Sequence, residues 1–165
     1  MRARLLALAL SWFMFGFAAA SCGHAAYANT QLPTGIYPLI IDDDDGGVVD
    51  TFLMFYRRIR DSHVPVRLRG LCVSACTLVL ILPKEQVCAE PTASLGFHLA
   101  AHFDGATRIY DPELTAVMVK RYYPAAVQKW LAERELKPSV IYMDYDTITS
   151  LGVFDPCPDS NQELK

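Results

Sequence analysis

The stretch Gly70-Leu-Cys-Val-Ser-Ala-Cys-Thr-Leu-Val-Leu-Ile-Leu-Pro83 decides the fold and contains a candidate nucleophile. Residues 74–82 are apolar on nearly every helical face and stop at Pro83, a pattern that predicts a buried helix. A short strand is predicted at residues 64–68, closed by Gly70. Ser74 therefore lies at a strand-to-helix junction, where its hydroxyl is exposed at the turn beside the positive end of the helix dipole.

The segments on either side alternate between strand and helix patterns. Strands are predicted at residues 37–41, 87–89 and 95–99, and a helix over residues 48–61, where apolar side chains recur at helical spacing. Two more helices are predicted, one starting at Asp111-Pro-Glu113 and one running from Pro124 to about residue 135. This order with short connections predicts an α/β fold with a mostly parallel sheet and flanking helices.

The first 28 residues have the pattern of a secretory signal peptide. Arg2 and Arg4 precede an uncharged run over residues 5–20, and Ala26-Tyr-Ala28 provides a cleavage site of the A-x-A type. Cleavage there leaves residues 29–165 as a single domain. We therefore expect a periplasmic or secreted protein.

Two other fates of the N-terminus remain open. Cleavage after Ala20 is one, and a lipid anchor on Cys22 is the other. The uncharged run is short for a full membrane span, so contact with a membrane is expected only through an uncleaved signal or a lipid anchor.

Composition and charge exclude several classes of protein. The chain is 52% hydrophobic and 20% charged, unlike a disordered chain. Its formal charge is −3, and loss of the two signal arginines makes it −5. With no basic surface indicated, nucleic acid is not an expected partner.

Four cysteines lie beyond the predicted cleavage site. An even number in an exported chain predicts two disulfides, for which the sequence allows three pairings. We expect Cys76 to pair with Cys88, because Cys76 opens the buried helix and Cys88 lies on the strand that returns beside it. Cys72 would then pair with Cys157.

Three features carry candidate chemistry. Ser74 is a nucleophile favoured by the helix dipole, Gly46 and Gly47 precede a helix and let backbone N–H groups approach a substrate, and His98 offers a general base. Each has a structural alternative: Ser74 as a helix cap, His98 as a hydrogen-bonded core histidine, and the two glycines as a plain turn.

The order and spacing of these features resemble those of the Clp protease proteolytic subunit and, more broadly, the Clp/crotonase superfamily. The motifs Gly-Gly, Cys-x-Ser-Ala-Cys-Thr and Leu-Gly-Phe-His are similar to those of small exported Clp-like bacterial proteins, over residues 40–98 with a vaguer continuation to residue 152. The resemblance implies that Ser74 is the nucleophile, His98 the base, and the N–H groups of Gly47 and Ala75 the oxyanion hole. It also implies hydrolysis of a peptide or protein substrate through an acyl-enzyme, and assembly into a homo-oligomer.

The chain departs from the superfamily pattern in two places. The early strands are shortened, so an N-terminally truncated version of the fold is expected. The aspartate that would orient His98 in a catalytic triad is expected near Val140 but is missing there. Asp144 is assigned to this role, with Asp146 and Asp111 as alternatives. The alternative function is a non-catalytic exported protein with a degenerate site, acting in binding or assembly.

No metal or other cofactor is expected. His98 and His102 stand four apart, but no glutamate follows His98 as the helical metalloprotease motif requires. The run of aspartates at residues 42–45 lacks the alternating ligands and distal glutamate of a calcium loop. It is interpreted as a solvated acidic turn.

Overall fold

The computed structural model describes residues 37–158. The predicted signal peptide and its cleavage site lie outside these residues. Within the described part of the chain, no helix has both the length and the apolar character needed to cross a membrane.

Parallel strands dominate the fold. A four-stranded parallel sheet has the order β1-β2-β4-β9, with β1 at Leu39–Ile41, β2 at Val66–Leu68, β4 at Val87–Ala89 and β9 at Asp155–Pro156. In a three-stranded sheet, β5 (Ser94–Phe97) lies parallel to β3 (Leu71–Val73) and antiparallel to β8 (Ile141–Asp144). The predicted mixed α/β fold with a mostly parallel sheet is confirmed.

Each of three chain segments passes from the first sheet into the second, and the segments lie in the same order in both sheets. The chain passes from β2 into β3 through Arg69 and Gly70, and from β4 into β5 through residues 90–93. The segment after β1 also reaches the second sheet, where Asp44 bridges Cys72 in parallel. The order β1-β2-β4 in the first sheet is thus matched by Asp44-β3-β5 in the second. As a result, the acidic residues 42–45 lie beside β3, the strand that leads to Ser74.

Within residues 37–158, four α-helices and a central 3₁₀ helix accompany the strands. The α-helices are α1 (Val49–Ser62), α2 (Pro112–Tyr122), α3 (Ala125–Ala132) and α4 (Tyr145–Ser150). The predicted buried helix is present as a 3₁₀ helix at Ser74–Ile81, here called the Ser74 helix, with residues 75–80 all buried. Helix α1 packs against it, burying Leu53 and Tyr56. Because nearly every face of the Ser74 helix is apolar, it lies in the centre of the core.

The structure corrects one predicted strand and adds an unpredicted hairpin. The predicted strand at residues 95–99 ends at Phe97, so His98 follows the strand. Strands β6 (Ala101–Asp104) and β7 (Thr107–Tyr110) form an antiparallel hairpin. Most hairpin residues are exposed, so no buried face distinguishes the two short strands, although Asp104-Gly105 is a known turn signal.

The predicted pair of disulfides is confirmed, but the predicted pairing is wrong. Cys72 bonds to Cys76, and Cys88 bonds to Cys157. Cys72 ends up 5.2 Å from Cys76 between Cα atoms because β3 turns directly into the Ser74 helix. In the parallel β4–β9 ladder Cys88 lies opposite Asp155, and this register brings Cys157 beside Cys88. Two disulfides in one small domain indicate an oxidising location outside the cytoplasm.

Candidate active site

Ser74 has a strained backbone at the end of β3. Its φ angle is 58°, in the left-handed region that residues with a Cβ atom seldom adopt. Such a conformation costs on the order of 1–3 kcal/mol and persists only where the surrounding structure imposes it, which happens most often at functional sites. A serine on a strained strand-to-helix turn is also the arrangement that exposes the nucleophile in many hydrolases. We call residues 73–75 the Ser74 turn.

Two side chains hold the Ser74 turn from within the protein. The Thr77 hydroxyl donates to the Ser74 carbonyl at 2.5 Å, which uses its single proton. The Tyr123 hydroxyl must then donate to Thr77 Oγ1, at 2.7 Å. Burial raises the pKa of the Tyr123 phenol to about 12. The phenol therefore stays protonated and anchors the turn. Neither residue was identified from the sequence, because only their contacts reveal the role.

The backbone of Gly46 lies directly against the Ser74 turn. Its φ is +81°, and a Cβ atom there would lie 2.5 Å from the Val73 carbonyl oxygen and 2.7 Å from the Ala75 nitrogen. No larger residue fits without moving one of the two segments. The sequence analysis predicted a close approach of the Gly46 and Gly47 backbone to a substrate. The close approach that the structure shows is within the chain, and it brings the Gly47 and Ala75 regions together.

Aspartate side chains fix the conformation of the segment that precedes Gly46. The Asp44 carboxylate accepts a hydrogen bond from the Gly46 N–H at 2.7 Å, and Asp43 accepts one from the Leu71 N–H at 2.9 Å. Asp42 is paired with Arg69 at 2.6 Å. Asp42, Asp43 and Asp45 are exposed, as expected for a solvated acidic turn. The structure adds that three of the four carboxylates also fix the shape of the turn. Within residues 37–158, no cluster of three or more His, Cys, Asp and Glu side chains could hold a metal ion.

His98 is oriented by a backbone carbonyl. Its Nδ1 lies 2.6 Å from the Leu99 oxygen, and because a carbonyl only accepts, Nδ1 carries the proton. In the neutral imidazole, Nε2 is then free to accept a proton. The segment is itself fixed, since the Leu99 N–H donates to the Lys137 carbonyl and the Ala100 N–H donates to Thr115 Oγ1. Nothing in the sequence distinguishes this carbonyl from any other.

One open cavity of about 840 Å³ brings the predicted site residues together. Its lining includes Gly46, Gly47, Ser74, Ala75 and His98. Among the described residues no hydrogen bond joins Ser74 Oγ to the His98 imidazole, and catalytic contacts of this kind often tighten only when substrate binds. The site residues thus share a cavity without forming a closed pair.

The rest of the cavity is largely apolar. It is lined by α2 and the β6–β7 hairpin, including the exposed side chains of Phe103, Leu114 and Val117. Two cations, Arg108 and Arg121, also line it, each stacked over a tyrosine ring. Exposed apolar side chains around a concave surface are typical of a binding groove.

Asp144, assigned from the sequence as the orienting carboxylate, makes its hydrogen bond at the start of a helix. Its side chain accepts from the Thr147 N–H at 2.9 Å and caps α4, and hydrogen bonds from Thr147 lower its pKa. In the β5–β8 ladder, Asp144 lies opposite Ser94. Because Ser94 is four residues before His98, Asp144 is about 13 Å from His98 along the strand direction. Asp111 likewise caps α2. Neither carboxylate lines the cavity, and the group hydrogen-bonded to His98 Nδ1 is the Leu99 carbonyl.

Comparison with known proteins gives a distant structural likeness. The sequence matches no protein-family model and no curated protein. Among solved structures, the chain is similar to a mutant of the 1510-N membrane-bound stomatin-specific protease, at 17% identity and a TM-score of 0.47. The match covers 74% of this chain and 65% of that structure, so the chain spans less than two thirds of that structure's length.

Proposed function

We propose that this protein is a serine hydrolase, a peptidase of the bacterial cell envelope, built on a fold of the Clp/crotonase type. The observation that carries the proposal is the left-handed backbone of Ser74 at a strand-to-helix turn, in a cavity shared with His98. Structural strain at one residue has a ready explanation when that residue is a nucleophile that must be presented to a substrate.

In the proposed reaction, Ser74 Oγ attacks the carbonyl carbon of the scissile bond. His98 Nε2 takes the hydroxyl proton as the bond forms, and then gives it to the departing amine. The hydrogen bond from Nδ1 to the Leu99 carbonyl keeps the imidazole in the required tautomer. It also stabilises the imidazolium, although less than a carboxylate would. Water then hydrolyses the acyl-enzyme with His98 again as the base.

The developing oxyanion is assigned to the N–H groups of Gly47 and Ala75. Ala75 is the second residue of the Ser74 helix, where backbone N–H groups have no partner within the helix. The contact of Gly46 with the Ala75 nitrogen supports this assignment, because it brings the Gly47 segment beside that end of the helix. Two preorganised donors in such a hole typically contribute a factor of about 100–1,000 each.

The proposed setting is the periplasm or the cell exterior. The two disulfides support it, and the signal-like N-terminus predicts how the chain would arrive there. The substrate is proposed to be a peptide or protein segment that lies along the apolar cavity. Assembly into a homo-oligomer, implied by the superfamily resemblance, is part of the same proposal.

A non-catalytic binding protein is the second candidate. It is favoured by the lack of a Ser74–His98 hydrogen bond and of any acid hydrogen-bonded to His98 within residues 37–158. In that case the apolar cavity would bind a partner segment without cleaving it.

A fluorophosphonate probe, which reacts with activated serines, separates the two candidates. We expect the mature protein to be labelled, Ser74→Ala to be unlabelled, and His98→Ala to react about 100–10,000 times more slowly. His102→Ala, which changes an exposed histidine on β6, serves as the matched control and should react like the wild type. A folded wild type that does not react would contradict the hydrolase and favour the binding protein.

A further inference from the structure

The Cys72–Cys76 disulfide spans the proposed nucleophile. Its two cysteines lie two residues before and two residues after Ser74, so the bond closes a small ring around the Ser74 turn. Cys72 is held in the β3–β5 ladder opposite Leu95, whereas Cys76 belongs to the Ser74 helix. The bond therefore fixes the helix to the strand across the one residue of this segment with a positive φ.

Both cysteines lie deep in the core. Each has a relative exposure of 0%, and the Tyr56 hydroxyl lies 3.6 Å from Cys76 Sγ. A buried disulfide of this kind is shielded from reductants while the protein is folded. Its short loop constrains the unfolded chain much less than the 69-residue separation of Cys88 and Cys157 does. Stabilisation of the fold is therefore the weaker explanation for its position.

We infer that the Cys72–Cys76 disulfide is a positioning device for Ser74, so that the hydrolase is active only when this bond has formed. The inference rests on the proposed function. Without the bond, the Thr77 hydrogen bond and the packing against Gly46 must maintain the strained backbone without a covalent crosslink, and Ser74 can relax towards a negative φ. That rotation moves both Ser74 Oγ and the Ala75 N–H, and a displacement of about 1 Å in a catalytic group can cost about 100-fold in rate.

Formation of the bond balances as a thiol–disulfide exchange. The Cys72 thiolate attacks a disulfide reagent and releases one thiol, and the Cys76 thiolate then attacks the mixed disulfide at the Cys72 sulfur and releases the second thiol. Two electrons pass to the reagent, and the two cysteine protons end on its thiols. The chain is thus inactive while its thiols are reduced and becomes active on oxidation in the envelope.

The test compares two double variants of the mature protein. One is Cys72→Ala with Cys76→Ala, and the matched control is Cys88→Ala with Cys157→Ala. Labelling with the fluorophosphonate gives kinact, the rate of reaction within the complex, and KI, which reports binding. We expect the Cys72/Cys76 variant to lose about 100-fold in kinact with little change in KI, and the control to keep the wild-type kinact while its Tm falls.

A redox experiment on the wild type completes the test. Protein refolded in dithiothreitol should show the low kinact, and protein refolded with glutathione disulfide should show the high one. The Cys72/Cys76 variant should give the same low kinact under both conditions. Wild-type kinact in a folded Cys72/Cys76 variant would overturn this inference alone. A variant without the native circular dichroism spectrum would also overturn it, because the bond would then be needed for the fold itself. An unreactive wild type would overturn the proposed function and the inference together.

Discussion

The two disulfides hold two regions that are organised in opposite ways. At the Ser74 turn, the bond joins residues four apart, a residue with a Cβ atom takes a left-handed φ, and backbone segments approach closely. At the edge where β9 joins β4, the bond joins residues 69 apart, and the Cys157 N–H donates to the Ala89 carbonyl in ordinary extended pairing. The first region imposes an unfavourable local geometry, and the second closes a long chain segment onto the sheet.

The two regions therefore affect the free energy of unfolding in different ways. Strain at Ser74 costs on the order of 1–3 kcal/mol, and hydrogen bonds through Thr77 and Tyr123 help to maintain it. The β4–β9 edge has no such cost, so its crosslink acts directly on the free energy of unfolding. Substitutions in the two regions should therefore separate activity from stability.

The largest expected effect on stability is loss of the Cys88–Cys157 bond. From loop length alone, the Cys88→Ala, Cys157→Ala variant should lose about 4 kcal/mol in free energy of unfolding, and the Cys72→Ala, Cys76→Ala variant about 2 kcal/mol. Urea unfolding of the two variants and the wild type gives both values. An equal or reversed order would break the contrast between a closing crosslink and a positioning one.

The sequence predicted the elements with strong local signals. The uniformly apolar run after Ser74 predicted the Ser74 helix, and apolar side chains at helical spacing predicted α1. Both helices were placed to within about one residue. The disulfide pairing could not be predicted, because it depends on β9, a two-residue strand with no periodic pattern of its own.

The candidate site was predictable only where side chains carry the chemistry. Ser74 and His98 were predicted from residue type, spacing and the superfamily resemblance, and the structure places them in one cavity. The group that orients His98 is a main-chain carbonyl of Leu99, which every residue possesses. Acids that looked suitable, such as Asp144, cap helices instead. A sequence gives no signal for a backbone group used in this way.

The next largest effect is expected at Gly46. Gly46→Ala should cost about 3 kcal/mol in stability, because it adds a left-handed penalty to a clash with the Val73 carbonyl and Ala75 nitrogen. Gly105→Ala is the matched control: its φ is also positive, at +60°, but nothing lies within 4 Å of the added Cβ. It should cost only about 1 kcal/mol. Thermal unfolding of both variants measures the difference, and equal costs would contradict the close approach at the Ser74 turn.

A smaller effect is expected from Tyr123 at alkaline pH. Because burial raises the pKa of Tyr123 to about 12 in the folded chain, compared with about 10 when unfolded, the native state holds its proton more tightly. This contribution to stability is complete below pH 10 and is lost as the pH rises through 12, by about 2 kcal/mol at pH 12.

Tyr123→Phe should remove that part of the alkaline loss and, at neutral pH, cost about 1 kcal/mol for the hydrogen bond to Thr77. Urea unfolding between pH 8 and about 12 measures the slope. Tyr142→Phe, at an exposed position, is the control and should keep the wild-type slope. If both variants kept it, the raised pKa of the buried Tyr123 would not account for the alkaline loss of stability.

The smallest expected effect is that of Asp144→Asn on activity. Asparagine caps a helix about as well as aspartate, so α4 should be retained. Because the Leu99 carbonyl orients His98, the rate of fluorophosphonate labelling should match that of the wild type, as it should in the Asp111→Asn control at the cap of α2. Acid stability should change, however. The lowered pKa of Asp144 adds stability above its unfolded value, which is lost as the pH falls through the folded value, and asparagine removes this dependence. A large loss of labelling in Asp144→Asn alone would show that His98 depends on a distant carboxylate, and that the site is not fixed locally around the Ser74 turn.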